Sequence, residues 1–137
     1  MSARLEGWES RLARVLWQAQ TRPYVLGEHD CFRVACQVVH ALTGVDRWPE
    51  FAGYKTRREA MIKLAQFGST FEAAGDKFFG ERIELNYARR GDIAAVQPDP
   101  AGDKHLAVVV GATVRGLSES GLVTLPLRTA LCCWKVG

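Results

Sequence analysis

Cys31 and His105 are the two residues whose types and positions point to chemistry. Asp30, just before the cysteine, is a strong helix N-cap type, because its carboxylate accepts from the unpaired backbone N–H groups of a first turn. Behind it Val34, Ala35, Val38, Val39 and Leu42 recur at helical spacing, and Gly44 stands where a glycine stop belongs. The pattern predicts a helix from Cys31 to about Thr43, with the thiol on its first turn. The positive end of the helix dipole favours a thiolate there and predicts a lowered thiol pKa. His105 opens the apolar run His105–Gly111, directly after a breaker-rich loop, where a side chain can project past the end of a sheet. An imidazole so placed can take a thiol proton and return it to a leaving amine, while N–H groups at a helix start hold an oxyanion. That is the equipment of nucleophilic acyl transfer, provided the fold brings the two residues together.

The other polar candidates read more simply. His29 reads as a solvated loop histidine and His40 as a helix-surface residue. Cys36 lies five residues after Cys31 and reads as a small buried hydrophobe. Cys36 and His40 share a helix face but supply at most two ligands, and zinc needs four. Cys132 and Cys133 are adjacent in a strand-like segment, so they face opposite ways and only one could join them. No metal and no cofactor is expected. Trp48, Phe51 and Tyr54 read as packing anchors, and the pairs Arg57-Arg58 and Arg89-Arg90 as solvated faces.

Positioning these residues takes two kinds of element. Leu5, Trp8, Leu12, Val15, Leu16 and Ala19 mark one face of an amphipathic helix ending near Gln20, before Pro23. After the Cys31 helix, the segment Val45–Tyr54 has no clear period and reads as an ordered loop. Thr56-Arg57-Arg58-Glu59 is a capping box that opens a helix ending before Gly68, and Ser69-Thr70-Phe71-Glu72 repeats it for a helix stopping near Gly75 or Gly80. Past Gly80 the period becomes strand-like: Arg82–Leu85, Ile93–Val96, His105–Gly111, Ala112–Gly116, Gly121–Leu125 and Leu131–Val136, with one helical turn at Pro126–Ala130. Helices first and antiparallel strands second predict an α+β fold, a helical N-terminal half packed on a small antiparallel sheet.

The 137 residues fit one domain. The net charge of +3 is small and the basic residues are scattered, which argues against a nucleic-acid face. No run approaches the ~18 apolar residues of a membrane span. The first residues lack the apolar region of a secretory signal, so synthesis in a cytoplasm and reduced thiols are expected for the four cysteines.

Four short motifs stand in order: Pro23-Tyr24-Val25-Leu26-Gly27, Asp30-Cys31, Arg90-Gly91-Asp92-Ile93 and His105-Leu106-Ala107-Val108-Val109-Val110-Gly111. Together they resemble the NlpC-type cell-wall cysteine peptidases, which carry a Y-x-W-G loop, a D-C pair opening a helix, a G-D turn before a strand, and H-x-G-I/V-Y-x-G on the next strand. More narrowly the chain resembles the small tail-tip proteins of long-tailed bacteriophages with that fold, through His29-Asp30-Cys31, Arg89-Arg90-Gly91-Asp92 and the closing strand Cys133-Trp134-Lys135-Val136. The resemblance implies a papain-like fold in which the helices around residues 55–80 are an insertion. It implies Cys31 as nucleophile and His105 as base, with Tyr24 lining the site and Asp30 fixing the helix start and supporting the oxyanion. It implies a peptidase or amidase acting on peptidoglycan peptide stems during cell entry, located at a virion tail tip among hub and tip proteins. Three departures stand beside it. Phe32 and Arg33 replace a serine and a glycine, and Leu26 replaces the loop tryptophan. The third polar residue, which would orient the imidazole, has no clear counterpart; Thr113, Ser118 and Glu119 are the candidates. These departures keep open an alternative, a structural tail-tip protein with a degenerate, inactive site.

Overall fold

The structure is a computed structural model that describes residues 3–137. Five helices fill most of its first half: α1 (Trp8–Thr21), α2 (Cys31–Thr43), α3 (Trp48–Phe51), α4 (Arg57–Ala65) and α5 (Phe71–Phe79). Six strands follow: β1 (Arg82–Ile83), β2 (Ile93–Val96), β3 (His105–Val110), β4 (Thr113–Ser118), β5 (Gly121–Pro126) and β6 (Cys132–Trp134). They form one antiparallel sheet in the order β1-β6-β2-β3-β4-β5. The fold is α+β, as the change of period near Gly80 predicts. The last strand does not lie at an edge, because β6 inserts between β1 and β2.

Strand alternation sorts β3 into two faces. Leu106 and Val108 face the helices and share a core with Val34, Ala35, Val38 and Val39 of α2. Ala107 and Val109 face the other way and pack with Ala94, Val96, Val114 and Cys133. α1 covers α2 through Leu12, Leu16 and Ala19, all buried. Leu5 lies outside α1; its backbone N–H donates to Leu42 O at 2.6 Å and ties the N-terminal arm to the end of α2.

Two local expectations change. Val45–Tyr54 contains the short helix α3, which delivers Phe51 and Tyr54 into the core, both 3% exposed. The second capping box is out by one residue. Thr70, not Ser69, caps α5 by accepting from Ala73 N, and the displaced Glu72 instead accepts from Lys104 Nζ at 2.7 Å. Gly80 ends α5, whereas Gly75 lies inside it because Trp134 demands the space. A Cβ on Gly75 would stand 2.1 Å from Trp134 Cζ2, and that indole is fully buried with its Nε1–H donated to Asp76 Oδ1 at 2.9 Å.

Replacing Gly75 by alanine must therefore move helix or sheet. We expect Gly75→Ala to cost about 1–3 kcal/mol, the usual range for overpacking a filled core. Urea unfolding monitored by tryptophan fluorescence checks it; an unchanged midpoint would mean that Trp134 can swing aside.

Candidate functional site

The local chemistry around Cys31 is set by Asp30. Its Oδ1 accepts from Arg33 N at 2.9 Å, which is the helix cap, and its Oδ2 accepts from Gly27 N at 2.8 Å. The Tyr54 hydroxyl donates to the same Oδ2 through a short hydrogen bond. Asp30 is 1% exposed, so these donors replace the water that a buried carboxylate loses. Gly27 has no alternative here: its φ is 83°, and a Cβ would lie 2.1 Å from Tyr54 O. Burial, then the adjacent Asp30 charge, pushes the Tyr54 hydroxyl pKa far up, so it remains a donor.

Cys31 stands on the first turn of α2, as the sequence predicts, and opens onto a cleft of about 680 Å³. Tyr24, Asp30, His105 and Ser118 line the same cleft. Cys31 as a residue is only 7% exposed. Here the structure corrects the expected electrostatics. Burial pushes the Cys31 thiol up to about 12, and the Asp30 carboxylate adds to the rise, while backbone N–H groups of Leu106, Cys31 and Phe32 pull the other way. Desolvation outweighs the helix terminus because the thiol is packed among core side chains. The Leu106 contact sets the sulfur beside β3, one residue from His105. Tyr24 is also pushed up to about 12, first by burial and then by Cys31, Asp30 and Glu119.

His105 pairs with Val96 across β2 and belongs to the Ala107 side of β3 by alternation. It lines the Cys31 cleft and also a second groove on the outer face of the sheet. The imidazole thus occupies the rim where the two faces meet. Continuing the β3–β4 register from Val108↔Arg115 sets Ser118 opposite His105. The Ser118 hydroxyl donates to Gly121 O at 3.0 Å and lies 2.9 Å from Ser120 Oγ. Thr113 is at the far end of β4, paired with Val110, and its hydroxyl donates to Val110 O at 3.2 Å. Of the candidates for a third polar residue, Ser118 and Glu119 reach the cleft and Thr113 does not.

The other sequence expectations divide. His29 is not solvated; it is 6% exposed, with Nε2 3.2 Å from Ala19 O and Nδ1 without a partner among the described residues. Cys36 is buried, as expected of a small hydrophobe. Phe32 and Arg33 find apolar and π partners: the Phe32 ring lies 4.7 Å from Phe51, and the Arg33 guanidinium 5.0 Å from the Trp48 ring. The sequence reading missed Tyr54 as the partner of Asp30, and it missed the cleft residues Arg57 and Asp103, joined at 2.6 Å. No cluster of three or more metal-ligating side chains occurs among the described residues.

The raised thiol pKa predicts slow alkylation at neutral pH. Iodoacetamide modification of Cys31, read by peptide mapping, should climb about tenfold per pH unit up to roughly pH 11. A plateau below pH 9 would contradict the burial. The same shift has a sign for stability. Unfolding returns the thiol to its ordinary value near 9, so its contribution is full below that pH and is lost as pH rises toward about 12.

No curated protein and no solved structure matches the chain. A family model does match, over residues 3–136, so nearly the whole fold and every residue of the cleft fall within it. The chain belongs to the family described as domain of unknown function DUF6950.

Proposed function

We propose that this chain is a papain-like cysteine peptidase or amidase of NlpC type, acting on peptidoglycan peptide stems at a phage tail tip. One observation carries the chemistry: Cys31, on the capped first turn of α2, and His105, at the start of β3, line one cleft. The setting and the substrate class rest on the four motifs and their order in the sequence. In this reading Cys31 Sγ attacks the amide carbonyl carbon while His105 accepts the thiol proton. The Cys31 backbone N–H helps hold the oxyanion. The imidazolium then protonates the departing amine, leaving a thioester on Cys31. Water, deprotonated by His105, attacks that thioester and releases the acid and the free thiol. Because burial keeps the resting thiol protonated, His105 acts as a general base during attack rather than as the partner of a standing thiolate. Tyr24 lines the approach, and Asp30 holds the helix start.

A second reading belongs to a different class, a structural tail-tip protein docked on hub proteins with a degenerate site. The 7% exposure of Cys31 favours it, as does the alternation that assigns His105 to the outer side of β3.

Zymography on purified cell wall separates the two. The enzymatic reading expects clearing by the wild type, a loss of about 10³-fold or more in Cys31→Ser, and a loss of at least about 10²-fold in His105→Ala. Equal clearing by wild type and Cys31→Ser would remove the thiol from the mechanism. Absent clearing by all, with retained binding to tail hub proteins, would favour the structural reading.

A further inference from the structure

The sheet ends in two edge strands, and they differ. β1 is two residues long, contains Arg82 and lies between Glu81 and Glu84, so shortness and charge protect it. β5 is six residues long, Gly121-Leu122-Val123-Thr124-Leu125-Pro126, with no charged side chain. Only Pro126, at its end, is of a type that blocks strand addition. The register shows which backbone groups of β5 are free. Bonded and non-bonded residue pairs alternate along an antiparallel ladder. Leu127 N donates to Ala112 O at 2.9 Å, and Pro126, which has no N–H, stands opposite Thr113. Counting back by twos, Leu125, Val123 and Gly121 bond to Val114, Gly116 and Ser118. Leu122 and Thr124 therefore turn their N–H and C=O groups away from β4, and among the described residues no hydrogen bond reaches those groups. The Leu122 side chain packs against the helix-side core and anchors the strand, while Thr124 is exposed.

We propose that β5 is a self-association edge: a second copy of this chain adds its own β5 antiparallel about a two-fold axis at Val123, continuing the sheet across the pair. With Val123 opposite itself, Leu122 of each copy faces Thr124 of the other. Each such pair exchanges both of its backbone bonds, so the outward groups of both residues are used. No like charges meet along the strand, because it carries none. The charges at its ends are complementary. Glu119 lies four residues before Val123 and Arg128 five after, and neither has an ion pair among the described residues. The two-fold axis brings Glu119 of one copy beside the partner's Arg128, and the reverse. A strand from another protein fits the backbone equally, but it must bring a basic group to Glu119 and an acidic group to Arg128; a second copy brings both by symmetry. Glu119 lines the Cys31 cleft, so the pairing adds the partner's Arg128 to the rim of that cleft. The inference stands whether or not the cleft hydrolyses an amide.

Sedimentation equilibrium on the full chain tests the pairing. We expect a weak dimer, with a Kd on the order of 100 µM, as suits a contact at the small end of the interface range. As concentration rises, hydrogen exchange should slow at the Leu122 and Thr124 amides, while Val123 and Leu125, already bonded to β4, change little. Glu119→Arg and Arg128→Glu should each weaken the dimer about fivefold or more at low salt, and the double variant should restore it. The two single variants move the net charge in opposite directions, so a loss common to both is local. Thr124→Pro removes an outward N–H and no bond to β4, and should leave a folded monomer; Thr124→Lys serves if that variant fails to fold. A chain that stays monomeric up to about 1 mM overturns the proposal. So does a dimer that the single reversals leave intact, that the double variant does not recover, or that leaves exchange at Leu122 and Thr124 unslowed.

Discussion

The buried carboxylate of Asp30 is the constraint on which the site depends. One side chain caps α2 through Arg33 N, closes the preceding loop through Gly27 N, and receives the Tyr54 hydroxyl from the segment after α3. Three stretches of chain therefore converge on one pair of oxygens, and Cys31 is the next residue. A buried carboxylate left without its donors costs more than the bonds contribute, so the three contacts hold or fail together. The aromatic residues follow from the same point. Tyr54 can reach Asp30 only if Phe51, Phe32 and Trp48 pack beside it, and their rings meet Tyr54 at 5.4, 6.3 and 6.1 Å. Phe32 and Arg33, which depart from the resembling peptidases, are thus part of the frame that sets the helix start.

A second buried carboxylate holds the other half. Asp92 Oδ1 accepts from Arg4 at 3.0 Å and from Val136 N at 3.0 Å, while Oδ2 accepts from Arg89 N at 2.9 Å. Arg4 also donates to Val136 O and Arg90 O, so the N-terminal arm and the segment after β6 are clamped at the turn that opens β2. That fixes β2, and β2 pairs Val96 with His105. The loop before His105 is held to the helices by two ion pairs, the half-buried Lys104–Glu72 and the exposed Arg57–Asp103, of which the exposed one counts for little. Hydrogen bonds to a buried carboxylate thus hold the Cys31 side of the cleft, and side-chain ion pairs hold the loop that leads to His105.

What the sequence made legible was local. Asp30, Gly44 and Thr56 carry their capping roles in their types and spacing, and the structure has each where the pattern puts it. The β strands of the second half follow from apolar runs broken by Gly and Pro. What could not be read was anything set by distant packing. The local pattern favours Ser69, with Glu72 three residues on, yet the α5 that packs on Trp134 is capped one residue later, by Thr70. His29 has a loop sequence, but α1 closes over it. The helix terminus predicted an acidic thiol at Cys31; desolvation by residues far apart in the chain reverses the sign. The meeting of Cys31 and His105 at one cleft could be anticipated only through the motif order, and the position of His105 at the rim of two faces depends on a register no local pattern encodes.

Under the proposed hydrolase reading these features constrain the chemistry. A thiol kept protonated by burial becomes a nucleophile only when a base removes its proton in the same step as attack, and His105 is the imidazole that lines the same cleft. The most direct test is the covalent intermediate. Wild-type protein mixed with a peptidoglycan stem peptide, quenched in acid within milliseconds to seconds and mapped by mass spectrometry, should carry the acyl fragment on the peptide containing Cys31, and His105→Ala should carry almost none. Stem-peptide cleavage with no adduct on Cys31, or cleavage that persists in Cys31→Ala, would contradict the account.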